Sequence, residues 1–196
     1  MAQPRALLLA STSKSRRELL GRLGLAFATA APGTDETPLP GEAPADTALR
    51  LSVLKAKALQ AQYRDHLIIG ADQVASCAGR RYGKPGDHAS AVQQLRELSG
   101  RTVDFDSAVS LLDATTDRVQ SRLVACRVTF RPLDERVIEA YLRREQPYDC
   151  AGSAKSEGLG IALIARMETD DPTSLIGLPL IALTEMLGRA GLPVLA

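Results

Sequence analysis

Short apolar runs alternate with stretches of helical periodicity at both ends of the chain, and few folds satisfy this pattern. The predicted strands cover residues 6–10, 25–31, 66–70 and 159–165, and the helices cover about 14–23, 46–63, 88–98, 134–145 and 179–191. Two further β-patterned stretches, 102–112 and 119–130, flank a polar turn and predict a hairpin. Together these elements predict an α/β fold: a bent mixed sheet flanked by helices, in two lobes around an active-site cleft.

The size and charge of the chain exclude several classes of protein. At 196 residues it is long enough to bury a core without disulfides or metals, and we expect a single domain over residues 1–196. The formal net charge of +1 provides no overall attraction to a nucleic-acid polymer or an anionic membrane. No apolar run reaches the roughly 18 residues of a membrane span, and the N-terminal run is too short for a signal peptide.

Cysteine and histidine usage indicates the compartment. The three cysteines lie far apart and outside any C-x-x-C pair, which argues for a reducing environment and against structural zinc. The two histidines are too few for a His-rich metal site. We therefore expect a cytoplasmic location.

The first candidate site follows the first predicted strand. Ser11, Thr12 and Ser13 lead into a helix whose first turn contains Ser15, Arg16 and Arg17. Unpaired N–H groups, the positive end of the helix dipole and a guanidinium together suit a phosphate. A serine N-cap followed by two solvated arginines fits the same residues equally well.

The candidate carboxylates lie in two segments. Asp72, followed by Gln73, comes after the apolar run that ends at Ile69, at the predicted carboxyl end of a strand. An acid there can activate water or hold a metal, although a turn aspartate is the simpler interpretation. Asp35 and Glu36, in a Pro-rich loop, are candidate Mg²⁺ ligands or simply loop polarity.

The candidate cations are lysines. Lys55 falls on the second predicted helix, where a lysine is usually solvated, and Lys84 stands between Gly83 and Pro85, in a loop that can present an ammonium to phosphate. Lys155 and Glu157 offer opposite charges in a loop of small residues, which can equally be a plain connection. Hydroxyls, cations and carboxylates in the loops of one predicted sheet, without a Ser/His/Asp or Cys/His set, favour phosphate chemistry over acyl transfer.

A series of short motifs resembles the Maf-like family in order and spacing over nearly the whole chain. They are Leu9-Ala-Ser-Thr-Ser-x-x-Arg-Arg17, Asp35-Glu-Thr-Pro, Lys55-Ala, Ile69-Gly-Ala-Asp-Gln73, Gly83-Lys-Pro85, Leu98-Ser-Gly100, Ala151-Gly152 and Gly177-Leu-Pro-Leu180. The resemblance implies a Maf/ITPase-like fold, often a homodimer, and a nucleoside-triphosphate pyrophosphatase that uses a divalent cation, Mg²⁺ or Mn²⁺, and releases a monophosphate and pyrophosphate.

The resemblance also implies roles for individual residues. Asp72 is the expected proton acceptor for the attacking water, and Glu36 is a site acid that, with Asp72, is expected to hold the metal. The expected substrate contacts are Ser11, Ser13, Arg16, Lys55, Lys84 and Lys155.

The loop Lys155-Ser-Glu-Gly158 resembles the subgroup that acts on 7-methyl-GTP, with base choice assigned to Ser15, Gln73 and Glu157. N7-methylation makes guanine cationic, and a carboxylate can accept hydrogen bonds from its N1–H and exocyclic amine. The chain departs from that subgroup at Ser15 and Ala154, where aromatic residues are common, and at Thr173-Ser174, where an Asn is usual; it has no Trp.

Two other functions fit the same resemblance. The family was first associated with inhibition of septum formation, so a non-catalytic nucleotide-binding regulator is one alternative. A pyrophosphatase acting on dTTP, UTP or another modified nucleotide is the second. Retention of Asp72 favours the enzyme, and Glu157 in place of Gln favours 7-methyl-GTP.

Overall fold

The computed structural model describes residues 5–195, which form a mixed seven-stranded sheet and five α-helices. The strands are β1 Ala6–Ala10, β2 Ala28–Ala30, β3 His66–Cys77, β4 Arg80–Tyr82, β5 Thr102–Asp113, β6 Arg118–Phe130 and β7 Ile164–Thr169. The helices are α1 Lys14–Gly21, α2 Pro44–Ala58, α3 His88–Leu98, α4 Glu135–Glu145 and α5 Leu180–Arg189, and Ala151–Ser153 and Leu159–Leu163 are short 3₁₀ helices. The strand order is β2-β1-β3-β5-β6-β7, with β4 paired to β3.

Both parallel and antiparallel pairs occur in this sheet. β1 pairs parallel with β2 and β3, whereas β4 is antiparallel to β3 and β7 is antiparallel to β6. The predicted α/β class with a mixed sheet and helices is confirmed, and so is the long central hairpin. None of the helices in residues 5–195 is long and apolar enough to cross a membrane.

The chain divides into two compact units. The first contains the described residues of Met1–Gln73, Ser107–Val124 and Asp171–Ala196. Its strand β1 is buried on both faces, and alternate residues of a strand point to opposite sides. Leu7 and Leu9 pack in a cluster with residues of α1 and α5, whereas Leu8 and Ala10 pack in a cluster that includes Ala56 of α2.

The second unit contains Val74–Asp106 and Ala125–Asp170. Helices α3 and α4 pack against each other there, and each buries an apolar stripe, with Leu95 and Leu98 on α3 and Ile138 and Leu142 on α4. Both helices begin at an aspartate N-cap, Asp87 and Asp134 respectively, whose carboxylate accepts a hydrogen bond from the backbone N–H three residues later.

Four predicted elements differ from the observed ones. β2 is shorter than 25–31, and α2 ends at Ala58, after which the chain continues to Tyr63 in hydrogen-bonded turns. The predicted strand at 159–165 is wrong: Leu159–Leu163 is a 3₁₀ helix and β7 starts at Ile164. An ideal Cβ at Gly160 would lie 2.5 Å from the Lys155 carbonyl oxygen, so the chain is folded tightly back on itself there. β3 does not end at Gly70 but continues to Cys77, which changes the surroundings of Asp72.

Candidate active site

Asp72 lies inside β3, not at the end of a strand as the sequence suggested. The strand continues through it because its polar side chain has a buried partner on a neighbouring helix. Alternation along β3 puts Asp72 on the same face as Ile68 and Gly70, the face covered by α2. Asp72 is only 6% exposed, so it is a buried acid and not a solvated turn residue.

Lys55 of α2 is the partner of Asp72. Its Nζ donates to Asp72 Oδ1 at 2.6 Å, and the lysine is itself buried, which corrects the expectation of a solvated helix lysine. Gly70 makes this approach possible: an ideal Cβ there would lie 2.0 Å from the Ser52 carbonyl oxygen and 2.8 Å from the Ala56 amide nitrogen. A glycine two residues before the acid therefore lets α2 lie close against the strand.

Glu36 reaches the same ammonium from the Pro-rich loop. Its Oε1 lies 2.7 Å from Lys55 Nζ, and its side chain is 60% exposed. Two carboxylates thus converge on a single cation, one of them buried and the other open to solvent. Within residues 5–195, no group of three or more His, Cys, Asp or Glu side chains is placed to hold a metal ion.

The pKa values of Asp72 and Arg16 shift through burial and mutual attraction. Burial raises the pKa of Asp72 above its usual value, while the charge and hydrogen bond of Lys55 and the charge of Arg16 oppose that rise. Burial lowers the pKa of Arg16, and attraction to Asp72 and Glu36 opposes the fall. Arg16 is therefore close enough to both acids to belong to the same electrostatic cluster.

The hydroxyls that follow β1 build the start of α1. Ser13 is the N-cap, and its Oγ accepts a hydrogen bond from the Arg16 N–H at 3.3 Å. Ser11 is buried, and its Oγ accepts from the Ser13 N–H at 3.1 Å. Ser15 is half-buried on the first turn of the helix. The capping interpretation of Ser13 is confirmed, but Arg16 is not a solvated arginine, because its Nε donates to the Gly177 carbonyl at 2.8 Å.

Gln73 points to the face of β3 opposite Asp72. Its Nε2 lies within hydrogen-bonding distance of Ser107 Oγ at 2.8 Å, the Ser174 carbonyl at 2.9 Å and the Leu175 carbonyl at 3.0 Å. The amide nitrogen of Gln73 is therefore engaged by the protein itself.

Lys84, in the second unit, is exposed on a fixed loop. The Gly83 carbonyl accepts from Gln94 Nε2 at 3.1 Å, and the Gly86 N–H donates to the Tyr148 carbonyl at 3.0 Å. These bonds hold both sides of the loop, so that the predicted Gly-Lys-Pro segment presents its ammonium outward from an ordered backbone.

The loop that carries Lys155 and Glu157 folds around Glu145, also in the second unit. Glu145 accepts from Lys155 Nζ at 2.8 Å and from the Leu159 N–H at 2.7 Å. An ideal Cβ at Gly158 would lie 2.5 Å from a Glu145 carboxylate oxygen, so only glycine fits there without a shift. Lys155 thus has a partner within the protein, and Glu157 is exposed in the same loop.

The residues that hold these groups in place carry no signal in the local sequence. Glu145, Gln94 and Ser107 lie in ordinary helix and strand patterns, and nothing in their local sequence marks them. Gly177 belongs to a sequence motif, and the hydrogen bond from Arg16 Nε to its carbonyl gives it a structural role.

Comparison with known proteins gives consistent relatives. The family described as Maf-like protein matches residues 6–190. A 7-methyl-GTP pyrophosphatase of Thiobacillus denitrificans is 59% identical over 96% of this chain and 94% of its own length, and one of Cupriavidus pinatubonensis is 57% identical over 97% and 96%. Among solved structures, the Staphylococcus aureus Ham1 protein matches with a TM-score of 0.46 and 12% identity, over 65% of this chain and 73% of that one.

Proposed function

The chain belongs to the Maf-like protein family, and from this membership we propose that it is a pyrophosphatase that hydrolyses 7-methyl-GTP to 7-methyl-GMP and pyrophosphate. The observation that carries the proposal is the buried Asp72, paired with Lys55 and raised in pKa, on a face that Glu36 also reaches. Relatives more than half identical over almost their whole length carry the same activity in their names.

Asp72 is the proposed general base. A carboxylate accepts the proton of an attacking water more readily when its pKa is higher, provided that it stays ionised at the working pH. Burial raises the pKa of Asp72, and the charges of Lys55 and Arg16 favour its ionised form. The water oxygen attacks the α-phosphorus and passes a proton to Asp72. The bond from the α-phosphorus to the oxygen that bridges it to the β-phosphate breaks, and pyrophosphate leaves.

The cations and hydroxyls are the proposed phosphate contacts. With its Nε bound to Gly177, Arg16 keeps the two terminal guanidinium nitrogens for a bidentate contact with phosphate oxygens. Ser11 and Ser13 lie beside it, and Lys84 is an exposed ammonium donor. Lys55 and Lys155 stay predictions as substrate contacts, since the protein supplies Asp72 and Glu36 as partners of the first and Glu145 as the partner of the second.

The positions of the Glu36 and Asp72 carboxylates bear on the expected need for a divalent metal. Glu36 and Asp72 lie 2.7 and 2.6 Å from the same ammonium, so they can also face one divalent cation. Mg²⁺ is commonly bound by one or two carboxylates together with phosphate oxygens and water, and Glu36 and Asp72 fit that requirement. When bound, Mg²⁺ or Mn²⁺ would neutralise negative charge on the triphosphate.

Glu157 is the proposed determinant of base choice. It is exposed on a loop whose backbone is held by Glu145. Binding a ligand at the Glu157 carboxylate would therefore cost little conformational entropy of the loop. The positive charge of 7-methylguanine strengthens hydrogen bonds to a carboxylate. Ser15 and Gln73 stay predictions as further specificity positions. The cytoplasmic location, the homodimer and the single domain over 1–196 also stay predictions, and residues 1–4 and 196 lie outside the part of the chain that the structure describes.

A substrate panel tests the function. Wild-type protein and Asp72→Asn are incubated with 7-methyl-GTP, GTP, dTTP and UTP, and monophosphate and pyrophosphate are both quantified. We expect 7-methyl-GTP to give the highest kcat/KM and the folded Asp72→Asn variant to lose about 10²–10⁴-fold in rate, as is usual for loss of a general base. Near-native turnover by folded Asp72→Asn would overturn the role of Asp72. Nucleotide binding without hydrolysis by the wild type would favour the regulator instead.

A further inference from the structure

The segment 171–177 begins at a buried carboxylate that organises the backbone after it. Asp171 is 2% exposed; its Oδ1 accepts from the Thr173 N–H and hydroxyl, and its Oδ2 accepts from the Ile181 N–H at 2.7 Å. Thr173 Oγ1 accepts from the Leu180 N–H at 2.8 Å. Because Pro179, the N-cap of α5, has no side-chain donor or acceptor, Asp171 and Thr173 cap this helix from upstream.

The middle of the segment is held by two strands. The Ser174 carbonyl accepts from Ser107 Oγ of β5 at 2.7 Å, from Gln73 Nε2 of β3 at 2.9 Å and from the Gly177 N–H at 2.9 Å. Ser107 and Ser174 are fully buried. These bonds satisfy groups that would be costly to bury unpaired, and they fix the position of the turn that leads to Gly177.

The last residue of the segment, Gly177, contacts Arg16. Gly177 has φ +107°, a conformation that favours glycine, and an ideal Cβ there would lie 3.4 Å from Arg16 Nε. Its carbonyl accepts from that same Nε at 2.8 Å. The guanidinium is planar, so one hydrogen bond at Nε and close packing along its edge leave it little freedom to rotate.

We propose that residues 171–177 form a brace that fixes the guanidinium of Arg16 for phosphate binding, with Asp171, Gln73 and Ser107 as positioning residues. On this account Gln73 acts on the triphosphate through the brace and not on the base, because its amide nitrogen is bound to Ser107 Oγ and the carbonyls of Ser174 and Leu175. The inference rests on the proposed phosphate role of Arg16.

Ser107→Ala is the decisive variant, because a fully buried side chain on β5 can influence a phosphate ligand only through its neighbours. Ser110→Ala is the matched control: Ser110 is equally buried on the same strand, but its hydroxyl bonds to Ser52 and Ser121 and not to the brace. The probe is inorganic tripolyphosphate, which carries no base, and its affinity is measured by calorimetry with Mg²⁺ present. Each variant is also made in an Arg16→Ala background to complete a double-mutant cycle.

We expect Ser107→Ala to weaken tripolyphosphate binding about 3- to 10-fold, the effect of one net hydrogen bond, and to have no further effect once Arg16 is alanine. Ser110→Ala should stay within about twofold of wild type. Gln73→Met, which keeps the length and removes the donors, should lower kcat/KM for 7-methyl-GTP and GTP by the same factor and leave their ratio unchanged. If Ser107→Ala does not fold, Gln73→Met takes its place in the double-mutant cycle with Arg16→Ala.

Three results would overturn the brace: unchanged tripolyphosphate affinity in Ser107→Ala, an effect that adds fully to that of Arg16→Ala, or a wild-type protein that does not bind tripolyphosphate. A changed 7-methyl-GTP to GTP ratio in Gln73→Met would assign that residue to the base instead. If the wild type binds tripolyphosphate but hydrolyses no nucleotide, the proposed pyrophosphatase function fails while the brace stands.

Discussion

At the scale of single residues, the central feature is an acid that is buried and paired with a cation. Removing a carboxylate from water favours its protonated form, and a neighbouring cation restores the ionised one. Asp72 receives both influences, the first from its position inside β3 and the second from Lys55 at 2.6 Å. Its pKa is therefore a balance between burial and pairing, and a substitution at the partner should shift it.

Lys55→Met should move the acid limb of the pH–rate profile to higher pH. The lysine lowers the pKa of Asp72 by charge and hydrogen bond, so its removal raises that pKa further. The proposed base works only when ionised, so activity should fall as the pH drops through the pKa of Asp72. The measurement is kcat/KM for 7-methyl-GTP against pH. Lys57→Met, on the exposed face of the same helix, should leave the limb in place. An unmoved limb in Lys55→Met would show that the limb does not report Asp72.

Glu157→Gln should erode the preference for 7-methyl-GTP over GTP more than it lowers turnover. Both bases offer the same two donors to a carboxylate, so only the positive charge of the methylated ring separates them, and the substitution removes its counter-charge. The ratio of kcat/KM for the two nucleotides measures this effect. Glu168→Gln, an exposed glutamate in the same unit, is the control. If Glu157→Gln keeps the wild-type ratio, base choice lies elsewhere.

At the scale of elements, the site depends on how closely α2 approaches β3. The two meet at Gly70, where an ideal Cβ would collide with the backbone of Ser52 and Ala56. Backbone atoms on a buried helix cannot move aside as the end of a side chain can. The contact therefore sets the spacing at which Lys55, which lies between Ser52 and Ala56 on α2, reaches Asp72.

Gly70→Ala should destabilise the protein by about 1–3 kcal/mol or more, because a well-packed core does not absorb an extra methyl without backbone shifts. It should also lower activity in whatever fraction stays folded, since α2 and β3 must separate. Urea unfolding measures the first effect. Gly188→Ala, in α5 with open space around it, should be neutral or stabilising by up to about 1 kcal/mol. A Gly70→Ala protein as stable as wild type would show that the helix can shift freely.

Sequence patterns predicted the elements well where periodicity was long and missed them where polar residues were buried. The hairpin and helix 88–98 agree with β5, β6 and α3. The predicted strand 66–70 stops before the observed end of β3, because Asp72 and Gln73 are typical turn residues. No local pattern indicates their distant partners, Lys55 and Ser174. Sequence motifs predicted the candidate residues. Their hydrogen-bond partners lie far away in the chain, and no local pattern predicts such pairs.

At the scale of the whole molecule, charge balance governs what the site can accept. In the cluster of the first unit, Arg16 and Lys55 offset Asp72 and Glu36, so the protein alone leaves little net charge for a highly anionic triphosphate. A bound divalent cation would supply the missing positive charge. The net charge of +1 over the whole chain adds no general attraction.

Activity should therefore disappear in EDTA and return with Mg²⁺ or Mn²⁺. Glu36→Gln should raise the metal concentration needed for half-maximal rate. Asp35→Asn should raise it much less, because the Asp35 carboxylate accepts the Thr37 N–H at 2.9 Å and belongs to the loop. Rates measured across a metal titration give both values. Full turnover in EDTA would exclude a metal requirement.

The contact between Arg16 and Gly177 also sets an order of events during synthesis. The two residues are 161 positions apart, so the arginine emerges from the ribosome long before the carbonyl that holds it exists. Contacts of such large sequence separation form late, because loop closure must precede them. A chain that stops before residue 177 therefore lacks the carbonyl that holds the Arg16 guanidinium. The orientation of Arg16 would then be set only after synthesis has passed Gly177.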